Sequence, residues 1–322
     1  MTFYKDKRVL VTGGTGFLGS HVVEKLLQQG ARVSIAARHP ERNPFPGDAE
    51  AVGCDLYDLE ACRRAARGLD CVFHLAAFGW GIGANVQAQP ALFTNNVLMN
   101  TSMLEAAYRG GVERYLLTSS SAVYDGTFAV LDDTLPWGGD PHPSEYCFGW
   151  GKRAAELQAR AYVQHYGMKI AIVRPSNPYG PRDNVDPERS HVIPALIRRA
   201  VSREQPFVIW GTGKAVRSFV YAGDVADAML LALEHHATGD ALNVASAERT
   251  SIETLTRLVL EMCGYQDADL RFDTSKPEGH PGKFPTIAKA QETIGFTAKT
   301  SLRDGLAKTI DWYVNMQASQ PA

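Results

Sequence analysis

Long apolar runs, clustered cysteines and an excess of one charge are all missing from this sequence, and each absence excludes a class of protein. No apolar run reaches the roughly 20 residues of a membrane-spanning helix. The five cysteines, Cys54, Cys62, Cys71, Cys147 and Cys263, lack CxxC or Cys/His spacing, so we expect no metal site and interpret them as buried reduced thiols. A net charge of -2 gives no electrostatic reason to expect nucleic acid or an anionic membrane as a partner.

The composition indicates a folded protein with a sizeable core. Apolar residues make up 45% of the 322 residues, which argues against disorder. This length fits one large domain or two closely associated ones. The N-terminal sequence MTFYKDKRVLVTGG runs into a strand pattern without a signal peptide, so we expect a cytoplasmic protein.

The first half of the chain alternates short apolar segments with amphipathic ones. Helical periodicity is clear in GFLGSHVVEKLLQQG and in residues 149–167. The alternation predicts an α/β fold, a Rossmann-type doubly wound parallel sheet with helices on both faces. Buried strands are predicted for RVLVTG (8–13), ARVSIAAR (31–38), CVFHLAA (71–77), RYLLTSS (114–120) and KIAIVRP (169–175).

After Pro175 the pattern changes, and we expect a second domain. A polar, proline-rich loop, SNPYGPRDNVDPERS, precedes the helical segment HVIPALIRRAVSRE and a series of short strands and helices. We assign residues 1–175 to the Rossmann domain and residues 176–322 to a smaller mixed α/β domain. The boundary is soft, because the apolar segment 241–246 (ALNVAS) can return to the first sheet.

A glycine-rich turn follows the first predicted strand. VLVTGGTGFLGS fits two related spacings, Gly14-Gly16-Gly19 and Gly13-Gly16-Gly19. Glycine permits the tight turn and lets the backbone approach a pyrophosphate, and the following helix directs free N–H groups at that anion. Because the motif joins a clear strand to a clear helix, it predicts a dinucleotide site rather than an ordinary turn.

The end of the second predicted strand bears on which dinucleotide binds. An acidic residue there would bind the ribose hydroxyls and favour NAD, but AARHPER offers Arg38 and Arg42. A guanidinium pairs with a 2′-phosphate, so we expect NADP(H), with NAD(H) as the alternative if Arg38 only faces solvent. Asp55, in GCDLYD, is placed either to meet the adenine edge or to cap its own loop.

Several motifs occur in a fixed order along nearly the whole chain, namely TGGTGFLG, CDLYD, HLAA, NNV, TSSSAVY, the helix around Lys152, RPSNPYGP and RSFVYAGDVADA. As a set they resemble the extended short-chain dehydrogenase/reductase family, which acts mainly on nucleotide sugars. Within it, HLAAFGWGIGAN, DNVDPERSHVIPALIRR and WGTGKAVRSFVY resemble the GDP-L-fucose synthases, which epimerise and then reduce a GDP-4-keto-6-deoxy sugar. The resemblance implies an NAD(P)-binding domain, a nucleotide-sugar-binding domain and a homodimer.

The resemblance also implies roles for individual residues. Ser120 would hydrogen-bond the sugar oxygen, Lys152 would hold the nicotinamide ribose, and His191 would act as an acid or base. Asn177 and Arg217 would hold the diphosphate. The other implied contacts are with the cofactor, for Gly13, Gly16, Phe17, Leu18, Arg38, Asp55, Leu56, Leu75, Ala76, Ala77, Asn96 and Lys152, and with the substrate, for Arg182 and Val192 besides Asn177, His191 and Arg217.

Three of these residues also have a purely structural interpretation. Ser120 is one of three adjacent serines, Arg217 could be a surface strand residue, and His191 could simply cap the helix HVIPALIRR. Ligands of a doubly wound sheet bind at the carboxyl ends of its strands, which favours a functional role for Ser120.

Two positions depart from the family pattern. Ala122, in SSSAVY, stands where the fucose synthases have a proton-exchanging cysteine, which argues against a full two-base epimerisation. Phe148 stands where the family has a catalytic tyrosine, four residues before Lys152. Phenylalanine keeps the ring but lacks the hydroxyl that exchanges a proton with the sugar oxygen while hydride moves to or from nicotinamide.

Helix geometry does not let Tyr146 or Cys147 replace this tyrosine. Residues four apart share a helix face, whereas Tyr146 is about 600° from Lys152 around the axis and Cys147 is one residue off the required face. Two explanations remain for Phe148. Either a tyrosine was replaced to silence an intact site, or the phenylalanine is natural and the protein relies on Ser120 and water or is not a redox catalyst. The otherwise intact site favours the first.

The sequence therefore predicts an NAD(P)-dependent epimerase of a nucleotide-activated hexose, with a GDP-linked sugar favoured and a 4-keto intermediate. The near alternative is an NADPH-dependent 4-keto-6-deoxy-sugar reductase of the GDP-fucose synthase type. An alternative of another class is a catalytically silent NADP-binding sensor or scaffold, which would bind cofactor but no nucleotide sugar. The base, the sugar and the epimerised carbon stay open.

Overall fold

The computed structural model describes residues 2–135, 137–276 and 278–319. Its strands are β1 (Arg8–Thr12), β2 (Arg32–Ala37), β3 (Glu50–Gly53), β4 (Cys71–His74), β5 (Arg114–Thr118), β6 (Val130–Leu131), β7 (Lys169–Pro175), β8 (Pro178–Tyr179), β9 (Phe207–Trp210), β10 (Val216–Arg217), β11 (Val220–Tyr221), β12 (Thr238–Val244), β13 (Thr250–Ser251), β14 (Leu270–Asp273) and β15 (Phe284–Pro285). Its α-helices are α1 (Phe17–Gln28), α2 (Leu59–Ala65), α3 (Ile82–Gln87), α4 (Gln89–Arg109), α5 (Tyr146–Tyr166), α6 (Val192–Val201), α7 (Ala222–His235), α8 (Ile252–Met262), α9 (Ala288–Ile294) and α10 (Leu302–Ala318).

A seven-stranded sheet organises the first half of the molecule. Its strand order is β12-β7-β5-β4-β1-β2-β3, and all its neighbouring strands are parallel. The order reverses between β1 and β4, which opens a crevice at the carboxyl ends of the strands. The predicted doubly wound α/β fold is thus confirmed.

Both faces of this sheet are buried, as the apolar strands predict. Side chains alternate across a strand, so Val9 and Val11 pack into one layer while Leu10 packs into the other. The first layer contains Val22 of α1, and the second contains Met103 of α4. Burying each such side chain stabilises the fold by roughly 1.5–3 kcal/mol relative to an exposed one.

The second half supplies a separate apolar cluster and short two-stranded pairings. Helices α6, α8 and α10 pack together through buried residues that include Ile197, Leu255 and Leu306. The strand Thr238–Val244 pairs with Lys169–Pro175 at the edge of the large sheet. The domain boundary after residue 175 stays a prediction. Among the described residues, no helix is long and apolar enough to cross a membrane.

Some elements differ from those that the sequence pattern predicts. The strand Glu50–Gly53 and the helix Ile82–Gln87 were not predicted, because neither segment is long enough to display a period. Helix α5 begins at Tyr146 rather than at residue 149, so the helix face shared by Phe148 and Lys152 is already formed in its first turn.

Candidate active site

A cavity of about 730 Å³ opens at the carboxyl ends of β1, β4, β5 and β7 and reaches into the second half of the molecule. This volume is within the range of small-molecule sites. The first half contributes Phe17, Leu18, Leu75, Ala77, Gly79, Trp80, Thr118, Ser119, Ser120, Ser121, Ser144, Glu145, Phe148 and Lys152 to the lining, and the second half contributes residues that include Asn177, Asp183, His191, Val192, Arg198, Arg199, Trp210, Arg217, Glu278, His280 and Lys283.

The glycine turn between β1 and α1 closes one end of this crevice. Gly13 has a φ of +69°, and a Cβ there would lie 2.9 Å from the backbone nitrogen of Ala76 on the neighbouring strand end. A Cβ on Gly19 would overlap the carbonyl oxygen of Gly13, so the helix can pack this closely only through glycine. Within the described residues, no side chain caps the N-terminus of α1 at Gly16. These features fit a pyrophosphate, which would take the free N–H groups.

The structure distinguishes the two glycine spacings of the sequence. Gly13 has the left-handed backbone and the close approach to a neighbouring strand. Gly14 instead faces the side chain of Ile35, whose Cγ2 would lie 2.9 Å from an added Cβ. The spacing 13-16-19 is therefore the one that faces the crevice.

The residues expected at the adenosine end lie on the surface beyond β2 and β3. Arg38 follows β2 directly, Arg42 ends a 3₁₀ turn, and both are exposed. Neither arginine makes an ion pair with another described residue. Asp55 accepts a hydrogen bond from the backbone N–H of Tyr57 at 3.1 Å, and Leu56 is buried beneath it. Asp55 thus caps its own loop, which was one of the two roles open from the sequence.

Asn96 braces the loop after β4 instead of lining the cavity. Its side chain is fully buried, accepts from the Phe78 N–H at 3.0 Å and donates to the carbonyls of Phe78 and Leu92, both at 2.7 Å. These bonds fix the segment that carries Leu75 and Ala77, which do line the cavity. Asn96, which was expected to touch the cofactor, is therefore placed to position the loop that carries two other expected cofactor contacts, Leu75 and Ala77.

Lys152 and Ser120 both line the cavity near the end of β5. The Lys152 ammonium is buried and donates to the Thr118 carbonyl at 2.8 Å. Burial lowers its pKa to about 8, against the opposing influence of the Glu156 carboxylate. Ser120 is half-buried, and its Oγ accepts from the Ala122 N–H at 3.1 Å. Such a lysine fits the hydroxyls of a ribose, because an ammonium has three donors.

Phe148 forms the cavity wall one helical turn before Lys152. The Lys152 Nζ lies 5.6 Å from the centre of the Phe148 ring, and the ring edge would lie 3.2 Å from a Cβ on Gly79. Tyr146 is 41% exposed and does not line the cavity. The backbone N–H of Cys147 donates to Gln89 at 2.9 Å. An aromatic ring without a hydroxyl therefore occupies the place beside the lysine.

A buried ion pair beneath the serines was not predicted from the sequence. Arg174, on β7, donates to both carboxylate oxygens of Glu156 on α5, at 2.8 and 2.7 Å. Burial opposes the charge of Glu156, but Arg174 keeps the pKa of this carboxyl below its ordinary value. Ser119 donates to the same carboxylate at 2.6 Å. The pair thus ties the strand end that carries Ser120 to the helix that carries Lys152.

His191 is held by an aspartate at the N-terminus of α6. Its Nδ1 lies 3.1 Å and 3.2 Å from the two carboxylate oxygens of Asp183, which is buried. Burial lowers the pKa of His191, but the Asp183 carboxylate outweighs it and raises the pKa above the ordinary value. Both residues line the cavity. The sequence did not identify Asp183, although the RDN segment that contains it is visible eight residues before His191.

Arg217 and Asn177 line the far part of the cavity. Arg217 is half-buried and donates to the Val216 carbonyl at 2.9 Å, and burial lowers the pKa of its guanidinium. Asn177 has a φ of +43° and donates to the Ser218 carbonyl at 3.2 Å. Val192, also expected in the substrate site, lines the cavity at the start of α6.

Arg182 is not brought to this cavity. Its guanidinium pairs with Glu24 of α1 at 2.8 Å and approaches the ring of His21 at 3.3 Å. Its backbone φ of +69° turns the chain at this point, while the next residue, Asp183, faces the cavity. Arg182 is therefore placed to tie the loop to the first helix, and we do not retain it as a substrate ligand.

A second ion pair, also missed by the sequence analysis, lies on the cavity wall next to Phe148. Glu145 pairs with Lys283 from the second half of the chain, and His280 lies nearby on that half. Burial opposes the charge of Glu145, but Lys283 and Arg217 lower the pKa of this carboxyl below its ordinary value. Only the fold could reveal this pair, because its members are 138 residues apart in sequence.

Comparison with known proteins gives a consistent result. The sequence profile of the NAD dependent epimerase/dehydratase family matches residues 9–245. GDP-L-fucose synthase 1 of Arabidopsis thaliana is 32% identical over 320 residues, covering 96% of this chain and 94% of the relative. The dTDP-4-dehydro-6-deoxy-D-allose reductase of Streptomyces bikiniensis is 31% identical, covering 96% and 97%. The crystal structure of a UDP-glucose 4-epimerase from Thermotoga maritima with UDP-glucose superposes with a TM-score of 0.87 at 27% identity, covering 96% of this chain and 99% of that one.

Proposed function

This chain belongs to the NAD-dependent epimerase/dehydratase family, and on that premise we propose that it oxidises and re-reduces a nucleotide-linked hexose. The product is an epimer, and the intermediate is a 4-keto sugar. The observation that carries the proposal is one cavity that joins Ser120 and Lys152 to Arg217 and Asn177. The first pair suits a cofactor and a reacting oxygen, and the second suits a diphosphate.

Each residue has a task that follows from its chemistry. The nicotinamide, when bound, accepts or returns the hydride. Lys152 holds the ribose, and Ser120 donates to the sugar oxygen where negative charge develops. Arg217 offers a planar set of donors to the diphosphate, with Asn177 beside it. Phe148 packs beside the reacting centre but cannot exchange a proton.

We propose NADP(H) as the preferred cofactor and NAD(H) as the alternative. Arg38 and Arg42 stand exposed at the end of β2 and next to it, where a 2′-phosphate of the adenosine ribose would lie. A guanidinium recognises that phosphate through charge-assisted hydrogen bonds.

A 4-keto-sugar reductase is the second candidate. Two curated relatives, the fucose synthase and the allose-derivative reductase, have names that fit reduction of a 4-keto-6-deoxy sugar. Ala122 is buried at the position where the fucose synthases keep a cysteine, which supports a reaction without full two-base epimerisation. His191 with Asp183 leaves a single acid–base pair for a carbon next to the ketone. A GDP-linked sugar remains our favoured substrate for either reaction.

Restoring the family's tyrosine tests the proposed function. We expect Phe148→Tyr to raise turnover about 10²- to 10⁴-fold, because a positioned general acid or base contributes that much. Turnover is measured with GDP-L-fucose and UDP-glucose in the presence of NADP and of NAD, by absorbance of the reduced cofactor and by analysis of the sugar product. The control is Phe148→Leu, which removes the ring without adding a hydroxyl. No turnover by Phe148→Tyr on either nucleotide sugar would contradict the proposal.

The same substrates separate an enzyme from a silent cofactor-binding sensor. If Arg217 holds a diphosphate, Arg217→Gln weakens nucleotide-sugar binding and leaves cofactor binding unchanged. In a sensor, the substitution changes neither affinity. Calorimetric titration of the two ligands decides between the two results.

We also propose that the protein is a cytoplasmic homodimer. The supporting observation is an apolar surface on α4 and α5, two long helices that pack against each other. Helix pairs of this kind associate as bundles by burying such faces. The exposed apolar side chains on these helices are Phe93, Leu98, Tyr146, Trp150, Leu157 and Tyr166.

A further inference from the structure

Glu145 lies directly before the helix that carries Phe148 and Lys152. It stands three residues before Phe148 and seven before Lys152. At about 100° per residue, seven residues return to within about 20° of the same direction. Glu145 is the N-cap, with a non-helical φ of -124°, so this spacing only approximates its direction; Glu145, Phe148 and Lys152 all line the cavity. Tyr146 and Cys147 do not line it.

The surroundings of Glu145 keep its carboxylate charged and hold it in place. The groups that face it are Lys283, Arg217 and His142, and the Lys283 side chain is only 8% exposed. Glu145 itself is 37% exposed. An ionised carboxylate with acceptor sites beyond those used by one ammonium can accept a hydrogen bond from a sugar hydroxyl. It can then take the proton as the loss of hydride makes that hydroxyl strongly acidic.

Glu145 also lines the cavity that contains both ends of the proposed substrate site. Phe148 and Ser120 mark the end where hydride would move, and Arg217 marks the end where the diphosphate would bind. Glu145 contacts the second end through its cationic neighbours and lies one helical turn from Phe148. A hexose joined to a diphosphate at Arg217 would therefore share this cavity with the Glu145 carboxylate.

We infer that Glu145 is the proton acceptor for the sugar hydroxyl in this chain, in place of the tyrosine that position 148 lacks. The inference rests on the proposed function. In oxidation, the C–H bond breaks and its hydride goes to the oxidised nicotinamide, while the O–H proton goes to the Glu145 carboxylate and a C=O bond forms. In reduction, the carboxylic acid returns the proton to the oxygen. No additional oxidant or reductant is required.

Binding without cofactor provides the first test. Calorimetry measures the affinities of the chain and of Glu145→Ala for GDP-L-fucose and GDP, and for UDP-glucose and UDP. In Glu145→Ala, we expect the ratio of the affinity for the nucleotide sugar to the affinity for its nucleoside diphosphate to fall about tenfold. The reason is that the sugar loses a hydrogen bond to the Glu145 carboxylate. The unpaired Lys283 affects both ligands of a pair alike, so its effect cancels in the ratio.

Glu204→Ala is the matched control for binding. Glu204 also lines the cavity and also pairs with a cation, Arg199, at 2.8 Å. It lies outside the face that carries Phe148 and Lys152, so its removal should leave the ratio unchanged. An unchanged ratio in Glu145→Ala, or an equal fall in both variants, overturns the inference.

Turnover provides the second test, in four proteins: the chain as it stands, Glu145→Gln, Phe148→Tyr and the double variant. Glutamine keeps the size of Glu145 and one oxygen that can accept from Lys283, but it lacks the charge and cannot take up the proton. We expect Glu145→Gln to lower the slow turnover of the chain at least 100-fold. We expect the double variant to recover turnover, because tyrosine then exchanges the proton.

The four proteins distinguish failure of the inference from failure of the proposed function. If Phe148→Tyr is active while the chain and Glu145→Gln are equally slow, the function stands and the role of Glu145 is wrong. If no variant acts on either nucleotide sugar, both are wrong. Loss in Glu145→Gln with recovery in the double variant, together with the fall in the binding ratio, supports the inference.

Discussion

Burial disfavours the charged form of Lys152, and the effect on stability can be measured. The pKa of this residue is lowered from 10.5 to about 8 by burial. Between these values the unfolded chain holds a proton that the folded chain has released, so stability rises with pH through this window. At pH 7 the buried charge costs about 3 kcal/mol by this linkage.

We therefore expect Lys152→Met to stabilise the cofactor-free protein by about 1–3 kcal/mol at pH 7 while abolishing cofactor binding. The gain should shrink at pH ~9.5, where the lysine of the folded protein is already neutral. Urea unfolding at the two pH values measures the change, and fluorescence titration with NADPH measures binding. A stability change that is equal at both pH values would contradict this account of the lysine.

A second prediction at the residue scale concerns His191. Its pKa is raised because the Asp183 carboxylate outweighs burial. The pair therefore stabilises the fold below the ordinary histidine pKa, and this stabilisation is lost as the pH rises through the folded value. We expect Asp183→Asn to move the titration of His191 to lower pH, as observed by NMR of the imidazole. The control is Asp186→Asn in the same loop, and an equal shift in that variant would contradict a specific pair.

The contacts of single side chains could not be predicted from the sequence. The resemblance led to Asn96 and Arg182 as ligands, but the structure uses the first to hold Phe78 and the second to hold Glu24. A motif identifies a type of residue, not the atoms it will contact. Glu145 was missed for the opposite reason, because its partner is distant in sequence.

At the scale of elements, the β1–α1 turn depends on one backbone conformation. Gly13 combines a φ of +69° with the close approach of Ala76, whereas Gly53 has open space around its Cβ position and no positive φ. We expect Gly13→Ala to destabilise the protein by at least 1–2 kcal/mol, roughly the cost of a left-handed non-glycine residue, and to abolish cofactor binding. Gly53→Ala is the control, expected within about 0.5 kcal/mol of the original. Chemical unfolding and NADPH titration measure both, and equal effects of the two substitutions would contradict a special role for the turn.

Helices and strands could be predicted where the apolar residues recur over a long enough segment to show a helical or strand pattern. The strand Lys169–Pro175 has the bounds that its apolar run predicts, and α4 and α5 are clear from their length. The strand Glu50–Gly53 has four residues, none of them buried, so no pattern marks it. It forms because β2 leaves an open edge, with which it pairs in parallel.

For the whole molecule, the sequence predicted the doubly wound sheet but not the cavity between the halves. Parallel strands and a glycine turn follow from local patterns, whereas the cavity requires loops far apart in the chain to meet. The contact of Glu145 with Lys283 and the approach of Arg217 to Glu278 both depend on such meetings. Local sequence patterns do not show which distant residues meet, so the contacts of Glu145 and Arg217 could be identified only in the structure.

The exposed face of α4 and α5 leads to a prediction for the assembly. Leu157 is 62% exposed on α5 and belongs to the group of exposed apolar side chains on α4 and α5, which together suit an interaction surface. We expect the chain to sediment as a dimer and Leu157→Asp to shift it to monomers, because a charge would be buried without a partner. Analytical ultracentrifugation over a range of concentrations measures the change. Val314→Asp, at an exposed apolar position on α10, is the control and should stay dimeric. A monomer at every concentration, or dissociation by the control alone, would show that α4 and α5 are not the interface.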